Sequence, residues 1–340
     1  MFFPLHIFGL QDSATSTYYV RSVAFYNLEN LFDTSNDSLI FDDDRTAEGK
    51  DRWSRIKYEK KINDLAKVLS LIGRDVRGTS PDIIGLCELE NQGVLQDLLN
   101  HENLAAEDYG IIHYDSPDER GIDVALIYRK SSFIPFAHKS QRLLLQDSNG
   151  YRDYTRDLLI VGGMMDESEL YLLVNHWPSR SGGESRSRPY RMEAARLNLR
   201  VKDSLQKKNP DSAFLLLGDF NDNPTDISLK TILKARGKRS DIDENGLYNP
   251  MEVLYKKGIG SLGYRDQWHL FDQILVSQNL LTGNNRDYRL WKAGVFNPPF
   301  LITQEGRLKG YPYRTYTSGN YTGGFSDHFP VYLYLVKKAQ

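Results

Sequence analysis

The sequence contains very little cysteine, with Cys87 the single one among 340 residues. One cysteine cannot form an intrachain disulfide, so the fold has to be held together by its core. Cys87 lies in the apolar run DIIGLC, which favours a small buried side chain over a catalytic thiol. One cysteine and seven histidines also disfavour a structural zinc site.

Long hydrophobic runs are also missing. No stretch reaches the roughly 20 apolar residues that a membrane-spanning helix needs. The first residues, MFFPLHIFGLQ, are apolar but lack a basic beginning and a clear small-residue cleavage site. We therefore interpret residues 1–20 as a terminal segment, either a signal-peptide remnant or an irregular terminus, and residues 21–340 as one domain. This interpretation slightly favours a secreted or periplasmic location over a cytoplasmic one, and the compartment otherwise stays open.

The chain has no excess of charge of either sign. Its 43 Lys and Arg residues nearly balance 45 Asp and Glu residues, which leaves a net charge of −2. This balance argues against a protein that coats nucleic acid over its whole surface, but it allows a local basic patch. The 40% hydrophobic and 26% charged residues are typical of a globular enzyme, and the length suffices for a large core.

Short apolar runs interleaved with helical spacing predict a layered α/β fold. The runs predict strands at Tyr19–Tyr26, Asp82–Cys87, Val124–Tyr128, Leu158–Val161, Tyr171–Val174, Phe214–Leu217, Gln273–Val276 and Val331–Val336. Several are apolar throughout, which indicates burial on both faces. Helical spacing follows Trp53 up to Gly73 and recurs from Pro189 to Leu205. The acidic segment from Ser35 to Lys50 is predicted as a surface loop.

Polar side chains capable of catalysis stand at the ends of several of these runs. The residues concerned are Asn27, Glu29, Glu88, His176, Asp219 and Asn221, and the triplet Ser326–His328 precedes the last predicted strand. Each has an ordinary alternative: an Asp after Gly often forms a turn, and a lone histidine more often makes a structural hydrogen bond. Their joint occurrence at several strand ends favours a site, because functional groups gather there in layered α/β folds.

The chemistry of this set points to a hard metal ion. Asn, Glu and Asp supply oxygen ligands that suit Mg²⁺ or Mn²⁺. Histidines beside such an ion can donate hydrogen bonds or protons to phosphate oxygens, and an aspartate can hold water. The sequence therefore predicts hydrolysis of a phosphate ester, with the number of ions left open.

The ordered segments FYNLEN, IIGLCELEN, VNHWPS, LLLGDFND, FDQILVS and FSDHFP resemble the endonuclease/exonuclease/phosphatase family. The resemblance runs from about Val23 to Val336, and GDFN and SDH are its most specific parts. This family includes deoxyribonuclease I, repair nucleases, inositol-polyphosphate phosphatases and neutral sphingomyelinases. The resemblance implies a four-layer α-β-β-α sandwich in which two mixed β-sheets pack face to face.

The resemblance also implies metal ligands. Glu88 matches the principal metal-binding carboxylate, with Asn27 and Asp327 contributing directly or through water. Glu29 stands where relatives often carry an acidic group near the metal, and we expect it to act in the outer sphere.

Catalytic roles follow from the same resemblance. Asp219 matches the residue that orients or deprotonates the attacking water, and Asn221 the residue that steadies the phosphate. His328 matches the histidine that contacts the scissile phosphate, with Asp272 as its orienting carboxylate. His176 matches a second histidine, a candidate acid for the leaving oxygen.

Two further features bear on the substrate. Repair-type relatives have a tyrosine just before the strand VALIYR, whereas this chain has Gly121, Ile122 and Asp123, which disfavours abasic-site repair. The arginine-rich segment after His176 contains Arg180 and Arg186, whose guanidinium groups suit phosphate oxygens, so we expect them to bind substrate.

Three functions remain open at this point. A metal-dependent phosphodiesterase, foremost an endonuclease acting on nucleic acid, is favoured. An inositol-phosphate phosphatase or a sphingomyelinase-like phospholipase would use the same site on another phosphoester. A non-catalytic binding module ranks last, because every major position carries the matching residue type. The oligomeric state is not predicted.

Overall fold

The structure is a computed structural model that describes residues 17–147, 149–282 and 287–339, together with the backbone of Leu5–His6. The predicted terminal segment, residues 1–20, therefore lies largely outside the described residues, and its interpretation stays a prediction. Its last residues, from Thr17 onward, already belong to a long strand. Within the described part of the chain, no helix combines the length and the apolar character needed to span a membrane.

The strands account for most of the regular structure. The first ten are β1 (Leu5–His6), β2 (Thr17–Leu31), β3 (Ile83–Leu89), β4 (Tyr109–His113), β5 (Asp123–Arg129), β6 (Phe133–Gln141), β7 (Leu145–Gln146), β8 (Arg152–Asp153), β9 (Leu158–Met165) and β10 (Ser168–His176). The others are β11 (Ala213–Asp219), β12 (Leu247–Tyr248), β13 (Leu262–Tyr264), β14 (Gln267–His269), β15 (Asp272–Ser277), β16 (Arg289–Val295), β17 (Tyr316–Thr317), β18 (Asn320–Tyr321) and β19 (Val331–Lys338).

The helices lie between these strands in the chain. They are α1 (Arg55–Leu71), α2 (Arg74–Arg77), α3 (Gln92–Asn100), α4 (Glu184–Lys208), α5 (Met251–Lys256) and α6 (Asn279–Thr282). Helix α1 matches the predicted helix after Trp53. Helix α4 begins at Glu184, before the predicted Pro189, so Arg186 belongs to the helix. The side chain of Asn91 caps α3 by accepting a hydrogen bond from Val94 N at 3.0 Å.

Two mixed sheets form the centre of the fold. The first has the strand order β16-β19-β2-β3-β5-β4, with β1 also paired to β2, and the second has the order β12-β15-β11-β10-β9-β6. In each sheet one neighbouring pair is parallel, β2 with β3 and β10 with β11, and the other pairs along these two orders are antiparallel. Parallel pairs need long crossovers, which α1 and α4 supply.

The inner faces of the two sheets bury a common apolar core. Val23, Phe25 and Ile83 of the first sheet share this core with Leu215 and Leu217 of the second. The outer face of the first sheet packs against α1 and α3, and that of the second against α4. The layers therefore run helix, sheet, sheet, helix, and the predicted four-layer sandwich is confirmed.

One residue of the predicted surface loop from Ser35 to Lys50 is buried. A short 3₁₀ turn spans Asp43–Arg45, and the neighbouring Asp42 is almost fully buried, with 1% of its surface exposed. A carboxylate is seldom buried without a partner, because desolvation of the charge is costly.

Candidate active site

Strand alternation directs a row of polar side chains into the space between the sheets. Successive residues of a strand point to opposite faces, so a residue two positions beyond a core residue keeps its direction. The inward positions are Leu215, Leu217 and Asp219 in β11, Leu172, Val174 and His176 in β10, and Ile274 and Asp272 in β15. The apolar core therefore ends in polar groups at one end of the sandwich.

Strand register brings three of these residues side by side. His176 pairs with Asp219 across β10 and β11, and Asp219 pairs with Asp272 across β11 and β15. All three are buried. The regular ladder thus places the Asp219 carboxylate between His176 and Asp272 without help from any loop.

The first sheet contributes Asn27 and Glu88 from two parallel strands. Asn27 follows Val23 and Phe25 on the inward face of β2. Glu88 sits at an irregularity in the β3–β5 pairing between Cys87 and Leu89, and its φ angle is 58°. Cys87 faces the inter-sheet core and Leu89 the outer one, so Glu88 is the extra residue of a β-bulge. Bulges re-aim side chains and are frequent beside active sites.

The acidic groups converge on His176. Its Nε2 atom lies 3.6 Å from Glu88 Oε1 and 3.7 Å from Asp219 Oδ2. Asn27 Nδ2 donates a hydrogen bond to Asp219 Oδ2 at 3.2 Å. Side chains from five strands therefore meet at one point: β2 and β3 of the first sheet, and β10, β11 and β15 of the second.

His328 approaches the same point from the loop before β19. Its Nδ1 atom lies 2.6 Å from Asp272 Oδ2, and its Nε2 atom lies 3.9 Å from both Asp219 Oδ2 and Asp327 Oδ1. Ser261 also donates to Asp272 Oδ2 at 2.5 Å. A hydrogen bond from Nδ1 to a buried carboxylate fixes the ring and leaves Nε2 toward Asp219.

Two predicted residues have protein partners of their own. Glu29 Oε2 accepts a hydrogen bond from Thr315 N at 2.6 Å and lies 4.0 Å from Lys61 Nζ. Asn221 donates from its backbone to Asp219 Oδ1 at 2.9 Å and from its side chain to Trp177 O at 3.0 Å. Both sit beside the centre and stabilise the segments that carry it.

The two histidines have opposite protonation tendencies. Burial lowers the pKa of His176 well below its usual value, and the positive charges of Arg156 and Arg120 lower it further. Burial also opposes the charge of His328, but the carboxylates of Asp272, Asp327 and Asp219 together raise the pKa of His328 well above its usual value. The surroundings of the two rings therefore favour the neutral form of His176 and the charged form of His328 on either side of Asp219.

The carboxylates of the centre resist full ionisation. Burial, with a smaller contribution from Asp272 and Glu88, raises the pKa of Asp219 to about 7, although His328 opposes the rise. Burial and the charge of Asp327 raise the pKa of Glu29 to about 7. A cation between these groups would relieve the repulsion.

The donor atoms fit a hard divalent cation. One oxygen each from Asp219 and Asp272 lie within 4.8 Å of each other and of a His328 nitrogen. The charged His328 would hydrogen-bond to groups around an ion rather than ligate it, so the oxygens are the donors here. Within the described residues, Asp272 Oδ1 is buried without a hydrogen-bond partner. Oxygen-rich donors of this kind suit Mg²⁺ or Mn²⁺, and the predicted ligands Asn27 and Glu88 border the same space.

The two arginines that the sequence predicts to bind substrate differ in their contacts: Arg180 is engaged with protein groups, and Arg186 is exposed. Arg180 Nη2 is 3.0 Å from Asp222 Oδ1 and 2.6 Å from Asp226 Oδ2, and its Nε donates to Asn221 O. Arg186 is exposed in the first turn of α4. Their substrate-binding roles stay predictions.

Arg120 is a further cation near the centre to which the sequence assigned no role. Its positive charge lowers the pKa of His176, although burial and the charge of Arg156 have larger effects. Half of the Arg120 side chain is exposed, and it lies beside Asp118. Arg156 is instead buried and pairs with Asp118 at 2.8 Å. In the sequence Arg120 stands directly before Gly121, close to the start of β5 at Asp123, and that position alone predicts no function.

The fold and the carboxylate–histidine centre define the class of protein as a metal-dependent phosphoesterase. Residues 22–337 match the profile of the Endonuclease/Exonuclease/phosphatase family. The chain belongs to this family, so the resemblance found in the sequence is confirmed. No curated protein matches the chain in sequence.

Solved structures with the same fold cover nearly the whole chain. D. rerio TDP2 complexed with a single-strand DNA product has 16% identity and a TM-score of 0.55, over 93% of this chain and 98% of that one. An endonuclease/exonuclease/phosphatase family protein from Bacteroides thetaiotaomicron has 18% identity and a TM-score of 0.55, over 95% and 100%. A mannosyl-6-phosphatase from the same organism has 20% identity and a TM-score of 0.52, over 93% and 99%.

Proposed function

We propose that the protein is a divalent-metal-dependent phosphodiesterase that cleaves nucleic acid. The observation that carries the proposal is the position of Asp219 Oδ2 between two imidazoles, 3.7 Å from His176 Nε2 and 3.9 Å from His328 Nε2. The site thus combines a carboxylate that can hold water (Asp219), an imidazolium that can bind phosphate oxygens (His328) and a second imidazole (His176). The similar D. rerio TDP2 structure holds a single-strand DNA product, which supports nucleic acid as the substrate class.

Asn27, Glu88 and Asp327 would hold the ion, with Glu29 in the outer sphere. The bound ion would supply a Lewis acid that neutralises negative charge on the phosphoryl oxygens. Arg314 Nη2 lies 2.8 Å from Asp327 Oδ2, so this guanidinium orients the carboxylate and leaves Oδ1 toward His328.

Asp219 would orient the attacking water and accept its proton. Asn27 and the backbone of Asn221 each donate to one oxygen of Asp219, which fixes the direction of the carboxylate. Such fixed geometry is the main gain from placing a catalytic group on a rigid sheet.

The two histidines would act on opposite sides of the phosphorus. His328, held charged by Asp272, would donate a hydrogen bond from Nε2 to a phosphoryl oxygen. His176 would protonate the leaving oxygen, since the negative charge of a bound phosphodiester favours the charged imidazole. Arg186 on α4 is proposed to contact the substrate, and Arg180 to contribute by holding the Asn221 segment.

A substrate panel with ion dependence tests the proposal. Plasmid, single-stranded DNA, inositol phosphates, mannose 6-phosphate and sphingomyelin are incubated with Mg²⁺, Mn²⁺ or EDTA. We expect cleavage of the nucleic acids that EDTA abolishes. Asp219→Asn should reduce kcat by about 10²–10⁴-fold while the protein stays folded. Asp203→Asn, an exposed carboxylate of α4, is the matched control and should keep full activity. Activity on the small phosphoesters alone would overturn the nucleic-acid proposal.

The second candidate is a phosphomonoesterase. Arg120 and Arg314 add two guanidinium groups beside the acidic centre, and such planar forks suit the extra charge of a phosphate monoester. Turnover of mannose 6-phosphate or an inositol phosphate, with intact plasmid, would favour this candidate.

A further inference from the structure

A groove runs along α4, between this helix and the chain segment that leaves β6. It has a volume of about 400 Å³, with α4 residues from Glu193 to Lys208 on one side and residues between 139 and 144 on the other. At 1.5 Å per residue, the helical side is roughly 22 Å long. We call this feature the α4 groove. Because α4 packs on the outer face of the second sheet, the groove is separate from the centre between the sheets.

The floor of the α4 groove is aliphatic. Its apolar side chains are those of Leu143, Leu144, Leu197, Val201 and Leu205. The three from α4 recur every four residues and so share one face of the helix. Leu144 is 70% exposed beside them. No described residue of the lining has an aromatic ring, so the groove lacks the stacking platforms typical of single-stranded nucleic acid sites.

Basic side chains stand on both sides of this floor. The β6 side contributes Lys139 and Arg142, and the α4 side contributes Arg200 and Lys208. All four are exposed. Arg142 Nε lies 3.3 Å from Asp157 Oδ1, whereas the other three have no acidic partner within the described part of the chain. The rim of the groove therefore carries unneutralised positive charge.

The negative charge of the lining is already engaged. Glu193 is the one acid among the described residues that line the groove, and it pairs with Arg196 of the same helix. An aliphatic floor between two basic rims is complementary to a ligand with an apolar face and acidic flanks.

We propose that the α4 groove binds an acidic amphipathic helix of a partner protein. Aliphatic side chains at helical spacing would pack on Leu144, Val201 and Leu205, as in other complexes in which a helix lies in an apolar groove. Carboxylates on the two flanks of that helix would meet the rim cations. These cations are spread along the groove, since Arg200 and Lys208 lie about two turns apart. A helix offers carboxylates at every turn, whereas a fatty acid has one charged end.

The experiment uses the full chain in EDTA and two fluorescein-labelled helical peptides of about 16 residues, which match the groove in length. Both peptides have leucine at positions i, i+3, i+4 and i+7, with glutamate on the flanks of one and lysine on the flanks of the other. We expect fluorescence anisotropy to show saturable binding of the glutamate peptide that weakens as NaCl is raised, because salt screens exposed charges. The lysine peptide should bind at least about tenfold more weakly.

Charge reversal on one turn of α4 provides a matched pair. Lys208→Glu should weaken binding of the glutamate peptide by about threefold or more, and adding Arg200→Glu should bring the loss to about tenfold or more, because attraction becomes repulsion. Lys207→Glu makes the same change at an exposed lysine outside the lining and should bind normally. Leu144→Ser should also weaken binding, because apolar contact area is lost.

Each outcome decides the proposal. Absence of binding of the glutamate peptide, equal binding of the two peptides, or equal losses with Lys208→Glu and Lys207→Glu would overturn it. A labelled oligothymidine is measured in the same way. If Arg200→Glu and Lys208→Glu weaken its binding but not that of the peptide, the groove is a nucleic-acid path and the proposal is wrong. Phosphoester cleavage is not the readout, so failure of the catalytic proposal leaves this result unaffected.

Discussion

His176 and His328 belong to one centre, yet their surroundings give them different charges. His328 faces Asp272, Asp219 and Asp327, which stabilise the imidazolium. His176 Nδ1 has no hydrogen-bond partner within the described residues, and burial with the charges of Arg156 and Arg120 disfavours its imidazolium. Pairs of titratable groups with opposite shifts are typical of acid–base division of labour.

Replacing Asp272 tests this division. Asp272→Asn removes the negative charge 2.6 Å from His328 Nδ1. We expect the pKa of His328 to fall, as measured by NMR titration in EDTA, and kcat to fall by about 10–100-fold. Ser261→Ala removes only the neutral donor to Asp272, so it should leave the His328 charge largely intact. An unchanged His328 pKa in Asp272→Asn would contradict the assignment.

The strand-end residues of the centre could be predicted because each follows an apolar run in the chain. The residues that hold these side chains in place could not be predicted from the sequence. Lys61 and Thr315 contact Glu29 from a helix and a loop distant in sequence, and Ser261 contacts Asp272 from the loop before β13. Asp42 was missed for the same reason, since a polar segment gives no signal of which carboxylate will be buried.

The eight predicted strands coincide with the interior strands of the two sheets. Within the described residues, the sheet edges are β16 and β4 in one sheet and β12 and β6 in the other, and the sequence predicted none of them. Interior strands are covered on both faces and read as apolar runs. Edge strands alternate or are short: β6 contains Pro135 and exposes Ile134 and Phe136.

Close approach of β10 and β11 depends on Gly218. A Cβ atom at Gly218 would lie 2.3 Å from Asn175 O, which is backbone and cannot rotate away. Gly218→Ala should therefore separate the strands and displace Asp219. We expect a loss of stability of about 1–3 kcal/mol or more in urea unfolding, together with loss of activity.

Gly85→Ala provides the comparison for Gly218→Ala. The Cβ atom at Gly85 would first meet the Leu217 side-chain end at 2.8 Å, and a side chain can adjust. We expect a smaller loss of stability than for Gly218→Ala. Equal effects of the two substitutions would show that backbone proximity is not the limiting contact.

An ion pair links the two sheets at the end of the sandwich away from the candidate active site. Arg21 of β2 makes a bidentate pair with Asp166, at 2.6 and 3.0 Å, and Asp166 lies in the turn between β9 and β10. Tyr288 also donates to Asp166. Burial by itself raises the pKa of Asp166, but the hydrogen bonds from Arg21 and Tyr288 outweigh it, so the net shift is downward.

This pairing predicts a pH-dependent stability. A carboxyl group with a lowered pKa stabilises the folded state above its unfolded pKa, near 3.8, and loses that effect as the pH falls through the folded value. Asp166→Asn should lower the free energy of unfolding by about 1–2 kcal/mol at pH 7. At a pH far enough below 3.8 to protonate Asp166 in the folded state, the difference should nearly vanish.

Urea unfolding at both pH values checks the expectation. Glu167→Gln changes an exposed acid of the same turn, 86% exposed, and should have little effect at either pH. A difference between Asp166→Asn and the parent protein that persists unchanged at low pH would point to packing rather than charge.

The ladder that aligns His176, Asp219 and Asp272 makes the centre sensitive to chain length. Deleting one residue between Phe214 and Gly218 would shift β11 by one place against its neighbours. Phe220 would then replace Asp219, and alternate apolar residues would exchange inner and outer faces. Length variation in a lineage of such enzymes should therefore collect in the connections and spare the strands that end in the acid.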